Sequence, residues 1–532
     1  MNLGFAIDNR KCIGCHACTT ACKSEHDVPI GVNRTWVKYI EKGSYPDTRR
    51  LFTVTRCNHC ENPPCVTICP VRSLYIRPDG IVDFDNQRCI GCKSCMQACP
   101  YDALYIDPNT HTSAKCNFCA HRIDGGMEPA CVIVCPEQAI VSGDLDNPAS
   151  AISRLISRHP STVRKPEKST GPKLFYIEGD EAAHTPTEAP PHTNYLWSDQ
   201  AQGVGHFARY AAQRAATKHP ERQLGLLGPK GEEAHQATAR QGAGPRLSRS
   251  YDPPSKGVLW GWEVSGYLWT KGISTGLVML PLLLNVLGWL PLTPVLETGL
   301  AAVSLAFLLI TTGLLVKDLD RPSRFLYVIL RPQWNSWLVR GGYILQATGG
   351  LLTLWLAVRV FDLPLPGGTG WLYGLLAAAA LMAAIYTGFL LAQAKGRDFW
   401  QSPLLPVHML VQSLMMGGGA LLLYGLAAGM GVLWPAVIAL EVLLAAHLLL
   451  LAMEFNLTHH SHDAALTAHL ITRGPLAFHF WSMVTLGNVA PLLLLTQAAD
   501  GRLVVPAAAL VLFFGLVTEH IWVRAPQLIP LR

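Results

Sequence analysis

Residues 57–70 read CNHCENPPCVTICP, and residues 89–100 read CIGCKSCMQACP. Two further runs flank them: CIGCHACTTAC at 12–22 and CNFCAHRIDGGMEPACVIVCP at 116–136. Together they hold all sixteen cysteines of the 532-residue chain, and none follows Cys135. The groupings are Cys12-x2-Cys15-x2-Cys18-x3-Cys22, Cys57-x2-Cys60-x4-Cys65-x3-Cys69-Pro70, Cys89-x2-Cys92-x2-Cys95-x3-Cys99-Pro100 and Cys116-x2-Cys119-x11-Cys131-x3-Cys135-Pro136.

The spacing points to iron–sulfur chemistry. A short C-x2-C-x2-C loop aims three thiolates at three irons of one cube. The fourth cysteine, before proline, leads away and ligates the other cluster of a pair. Gly14 and Gly91 leave room for backbone amides near the sulfides. A disulfide framework does not use four C-x2-C groups, and zinc has no use for the x3-Cys-Pro endings. Sixteen ligands serve four 4Fe–4S clusters with none left over. The expected fold is an α+β double ferredoxin-like head.

Beyond the cysteines the composition changes. Residues 181–256, rich in Pro, Gly, Ala, His and charge, read as an extended linker, with a candidate short helix in GHFARYAAQRAATKH. Tyr195-Leu196-Trp197 within it calls for a surface to cover it. From residue 257 on, eight apolar stretches approach the roughly 20 residues that cross a bilayer. They lie at about 264–290, 295–316, 338–361, 371–394, 404–428, 432–453, 474–498 and 502–524. Flanking tryptophans fit an interfacial belt, and AAAALMAA and GGGALLLYG permit close helix packing. The back half is therefore expected to be an all-α transmembrane bundle of about eight helices, a multi-pass protein of the cell membrane.

The net charge of +6 is small for this length and argues against a nucleic-acid partner. MNLGFAIDNRKCIGC has neither an apolar signal core nor a twin-arginine pair, so no export signal is expected. Lys317, Arg321, Arg324, Arg331, Arg340, Lys395, Arg397, Arg473, Arg524 and Arg532 fall at one end of the spans, against Arg359 and Arg502 at the other. The positive-inside rule then puts the head in the cytoplasm; the periplasm is the alternative.

The motifs of residues 1–180 resemble the four-cluster ferredoxin subunit of membrane molybdopterin oxidoreductases, the dimethyl-sulfoxide, polysulfide and nitrate reductase group. In that family motifs one and four share one lobe, and motifs two and three the other. The resemblance implies cluster one on Cys12, Cys15, Cys18 and Cys135, and cluster two on Cys116, Cys119, Cys131 and Cys22. It implies cluster three on Cys57, Cys60, Cys65 and Cys99, and cluster four on Cys89, Cys92, Cys95 and Cys69. Some relatives carry tryptophan in the third motif and hold a three-iron cluster. Cys92 is kept here, so four cubes are expected.

Residues 257–532 resemble the NrfD-type membrane subunit of polysulfide reductase, through Trp260-Gly-Trp262, Tyr267-Leu-Trp-Thr-Lys271-Gly and KDLDRPSRFLYVILRPQWNSW. Such subunits bind quinone or menaquinone and contain no haem. The family's first-span histidine is missing, and Tyr267 lies close to its place. Candidate quinone contacts are Tyr267, Lys271, Asp318, Arg321 and Tyr386; Glu441, His447 and Glu454 form either a proton path or a polar seam. The combined expectation is an electron-transfer and anchor subunit that wires a molybdopterin-containing catalytic partner to the quinone pool. A redox-driven proton-translocating module and a cytochrome b-type haem anchor are the alternatives.

Overall fold

Leu3–Asp8 forms β1, an inner strand of its sheet that is buried along its whole length. The computed structural model describes residues 1–44, 46–187, 248–251, 256–498 and 501–531. The other strands are β2 (Thr35–Ser44), β3 (Asp47–Arg56), β4 (Leu74–Ile76), β5 (Val82–Phe84), β6 (Leu104–Ile106), β7 (Ser113–Lys115), β8 (Ile140–Asp144), β9 (Ser161–Thr162), β10 (Leu174–Ile177) and β11 (Ser248–Tyr251). Two compact units result: Met1–Leu259 with Ala394–Arg397 and Ile529–Arg532, and Trp260–Gln393 with Asp398–Leu528.

In the first unit a four-stranded sheet has the order β8-β1-β10-β9. β1 runs parallel to β10, with Phe5 opposite Leu174, and antiparallel to β8, with Phe5 opposite Ser142. β2 and β3 form a long antiparallel hairpin, and β11 adds to β2. The hairpins β4–β5 and β6–β7 follow the second and third cysteine motifs. Short helices Pro64–Ile68 and Ser94–Ala98 close these motifs and pack on each other. Of the expected linker, the structure describes a helix at Glu181–His184, capped by Asp180, and β11. The candidate helix at 205–219 and Tyr195-Leu196-Trp197 lie outside the described residues.

The second unit contains eight helices long and apolar enough to span a bilayer: Trp262–Val286, Pro294–Lys317, Trp337–Val360, Gly370–Ala392, Leu405–Ala427, Trp434–Asn456, Ala477–Thr496 and Val504–Leu528. Every predicted stretch is helical. The first ends four residues early because Gly288, at φ 73°, terminates it, its N–H bonding to the Asn285 carbonyl. This first span is the core of its unit: 89% of its apolar window is buried, against 28% for the second and third. It packs on the second, fourth, fifth and eighth spans. Gly276 and Gly417 let the first and fifth spans touch backbone to backbone; a Cβ on Gly276 would lie 1.9 Å from the Ser413 carbonyl oxygen. The seventh span carries a π-turn at Thr485–Val489.

Candidate functional site

The head gathers its cysteines from distant motifs. Cys12, Cys15, Cys18 and Cys135 line one partly open cavity, with Gly14, Ala139 and Ile140. Cys69, Cys89, Cys92 and Cys95 line another, with Gly91 and Ser113. Cys22 lies within electrostatic reach of Cys116 and Cys131, as does Cys119. Cys60 and Cys65 stand in the same relation to Cys57 and Cys99. The first and fourth quartets expected from the resemblance each line a cavity, and the members of the second and third lie within electrostatic reach of one another. Cys15 is exposed and Cys12, Cys92 and Cys135 half-buried, whereas the second and third quartets are buried throughout. Cys18 acts on Cys131, and Cys57 on Cys116, so the first, second and third quartets adjoin in series.

The surroundings fit a cube rather than a single ion. Among the described residues no three Cys, His, Asp or Glu side chains draw together as mononuclear ligands. Instead the sulfurs ring a cavity, and left-handed backbone turns amides inward. Gly14 and Gly91 have φ 72° and 73°, and His16 and Lys93 both 60°. These equal angles mark the first and third motifs as structural repeats. Cβ on Gly14 would stand 2.4 Å from the Phe52 ring. Burial pushes the thiols of Cys18, Cys22, Cys60, Cys92 and Cys119 up to about 12. Iron must therefore displace protons on binding. Other groups touch the sulfurs: Ser113 N–H donates to Cys89 Sγ (3.3 Å), Ala139 N–H to Cys135 Sγ (3.2 Å), and His26 Nε2 lies 3.2 Å from Cys119 Sγ.

In the membrane unit Lys271 is the most unusual residue, a cation 2% exposed. Its Nζ donates to Thr387 Oγ1 (2.6 Å) and the Ala384 carbonyl (3.2 Å), and it lies 4.8 Å from the centre of the Tyr386 ring. Glu519 on the eighth span acts on it through space. Tyr267 is buried one turn earlier, within electrostatic reach of Tyr386, Asp318 and Glu519. Thr270 and Thr311 bond at 2.7 Å beside them. Four of the five predicted contacts thus share one neighbourhood; Arg321 follows in the loop after the second span. Sequence reading missed Glu519, although a carboxylate inside LVTEHIW was its signal.

The second predicted group needs correction. His447 and Glu454 share the buried stripe Leu440, Leu444, His447, Leu451, Glu454, but Glu441 does not. Six residues of helix turn through 600°, which leaves Glu441 120° away from His447. The partners of His447 are Asn488 Oδ1 in the π-turn (2.7 Å from Nδ1) and Gln412 (3.4 Å). Ser402 donates to Glu454 at 3.0 Å. His408 packs on His447 with ring centroids 5.7 Å apart. Also missed was Glu297, which accepts from Arg359 Nε (2.6 Å), Arg359 Nη2 (2.8 Å) and Trp355 Nε1 (3.1 Å), joining the second and third spans.

A thiolate-rich head continuous with a lipid-spanning anchor defines a class: membrane-anchored iron–sulfur electron-transfer proteins. Comparison with known proteins agrees. Two 4Fe–4S dicluster domain profiles match residues 11–74 and 48–145, and the polysulphide reductase NrfD profile matches 253–530. The head is 44% identical over 184 residues to a tetrathionate reductase subunit of Salmonella typhimurium, covering 34% of this chain and 74% of the relative. It is 43% identical over 179 residues to a polysulfide reductase component of Wolinella succinogenes, covering 33% and 93%. With the iron-sulfur subunit of the arsenate respiratory reductase of a Shewanella species it shares 36% over 227 residues, covering 33% and 96%. The chain belongs to the polysulphide reductase NrfD family, and it fuses that membrane anchor to an iron–sulfur electron-transfer subunit.

Proposed function

We propose that this chain carries electrons between a molybdopterin-containing catalytic subunit and the quinone pool. The observation that carries the reading is the joining of four cysteine quartets to an anchor with a buried Lys271–Tyr386–Tyr267 cluster. Cluster one is assigned to Cys12, Cys15, Cys18 and Cys135; cluster two to Cys116, Cys119, Cys131 and Cys22; cluster three to Cys57, Cys60, Cys65 and Cys99; and cluster four to Cys89, Cys92, Cys95 and Cys69. Bound 4Fe–4S clusters supply one-electron storage and relay. The first and fourth quartets, which include the cysteines that are not buried (Cys12, Cys15, Cys135 and Cys92), suit exchange with partners, and the fully buried second and third suit passage between them. Relatives named as parts of tetrathionate and polysulfide reductases support a catalytic partner.

In the anchor, Lys271 is held by Thr387 and Ala384 with its charge against Tyr386, a fit for a quinone oxygen as it gains or loses protons. The test is quinol-driven reduction of the clusters in membranes, followed at 400 nm or by electron paramagnetic resonance. Lys271→Met and Tyr267→Phe are expected to slow it at least tenfold with the clusters intact; unchanged rates in both remove the site. A stoichiometric three-iron signal in the oxidised protein would remove the fourth cube. Head orientation is read as cytoplasmic. Arg359 is held by Glu297, which leaves Arg502 as the other basic residue counted at that end. Protease protection of the head in right-side-out vesicles tests this. Proton translocation is a second reading, favoured by the buried His408–His447–Asn488 group. Proton movement in vesicles beyond the quinone stoichiometry would establish it.

A further inference from the structure

Of the buried cations in the head, Arg56 and Lys115 stand next to the cysteine motifs. Arg56 ends β3 and Lys115 ends β7, and each directly precedes the first cysteine of a motif. The contexts repeat: Arg56-Cys57-Asn58-His59-Cys60 and Lys115-Cys116-Asn117-Phe118-Cys119. Successive side chains leave a strand on opposite faces, so each cation departs from the side its own cysteine takes.

Arg56 is 3% exposed and donates Nη1 to Cys131 Sγ at 3.1 Å. Its guanidinium sits 4.5 Å from the centre of the Phe5 ring, which stacks on Phe118 at 4.0 Å. Its Nε and Nη2 are buried and find no hydrogen-bond partner among the described residues. Lys115 is 0% exposed; Nζ donates to the carbonyls of Val82 and of Cys116, the latter at 2.9 Å. Its charge acts on Cys57 and Cys65. Arg56 precedes a cysteine of the third quartet and bonds to one of the second; Lys115 precedes a cysteine of the second, is held on its carbonyl, and acts through space on two of the third.

A buried charge is costly unless an opposite charge faces it. Here the facing groups are cysteine sulfurs. Adding an electron to a thiolate-bound cube adds negative charge, so a fixed cation beside it stabilises the reduced state more than the oxidised one. Donors to the sulfurs act in the same direction. We propose that Arg56 and Lys115 are fixed counter-charges to the two inner clusters, each raising the reduction potential of the cluster across the lobe boundary. This rests on the four-cluster reading above.

The experiment is a redox titration of the purified full-length chain, monitored by electron paramagnetic resonance, with iron and sulfide counted per chain. Arg56→Gln is expected to shift the second cluster's one-electron equilibrium at least tenfold toward the oxidised form, about 59 mV. Lys115→Met should do the same to the third. Arg56→Lys and Lys115→Arg should stay near wild type. Full iron content with unmoved potentials in both neutral variants overturns the inference and leaves the four-cluster reading standing. A wild-type count short of four cubes overturns both. If the neutral variants lose clusters, retention in the charge-keeping pair supports the counter-charge role. Loss in those as well would show that shape rather than charge is required, and overturns it.

Discussion

Glu297 shows how much one side chain decides inside an apolar bundle. It is 3% exposed, and both its oxygens are taken by Arg359 from the third span. Removing one partner of such a pair strands a charge in low dielectric, at a cost of about 3–5 kcal/mol. Arg359 is about a fifth exposed, which places the cost at the lower end. Glu297→Gln should therefore lower the melting temperature in detergent by more than the double variant Glu297→Gln/Arg359→Gln. Equal losses would mean that the carboxylate acts by shape alone. Gly14 makes a parallel case in the head. Alanine there must adopt φ 72° with its Cβ on Phe52, so Gly14→Ala should lose the first cluster and keep the rest, read from iron content and the resonance spectrum. This scale was half legible. Cysteine motifs are local and announce themselves within about twenty residues. Glu297 and Arg359 lie 62 residues apart, and nothing in either neighbourhood names the other.

Among elements, the first span is the one the others are built around. Its contact with the fifth span depends on Gly276 facing Gly417. Without a solvent-driven hydrophobic force between helices, close packing carries association in lipid. Gly276→Leu is expected to separate these spans and prevent a folded anchor from being recovered in mild detergent, while the head's cluster spectrum persists. The π-turn of the seventh span is a second element with a purpose. It presents Asn488 to His447, and its side-chain Nδ2 caps the Met483 carbonyl at 3.0 Å. Sequence periodicity finds spans because length and apolarity suffice. It did not find the π-turn, and it grouped Glu441 with His447 because six and seven residues look alike in a string but differ by about 100° on a helix.

At the scale of the whole molecule, the two units differ in what holds them. The anchor has a large apolar core of its own. The head, by contrast, holds sixteen cysteines, eight of them around two cavities. Stripping iron with a chelator under oxidising conditions should unfold the head and leave the helix signal of the anchor near its starting value; parallel loss of both would contradict this. The division into head and anchor was readable from where cysteines stop and apolar runs begin. Which cysteines share a cluster was not, because the first quartet joins positions more than a hundred residues apart and needed a family likeness to pair them.

The place of β1 sets a schedule for synthesis. Its two neighbours, β8 and β10, arrive late, so the first strand made waits for Ile177. The first span begins at Trp262. At about 5–20 residues per second, the ribosome takes roughly 4–17 s to cover that interval. During it the sheet of β8, β1, β10 and β9 can close and the cysteine motifs can take up iron, with β11 the last head strand to join, before the anchor starts to enter the bilayer. Residues 181–256 are thus expected to give a delay as well as a connection. Shortening them should lower the iron carried per chain, and slowing translation should restore it; iron content indifferent to both would remove the idea.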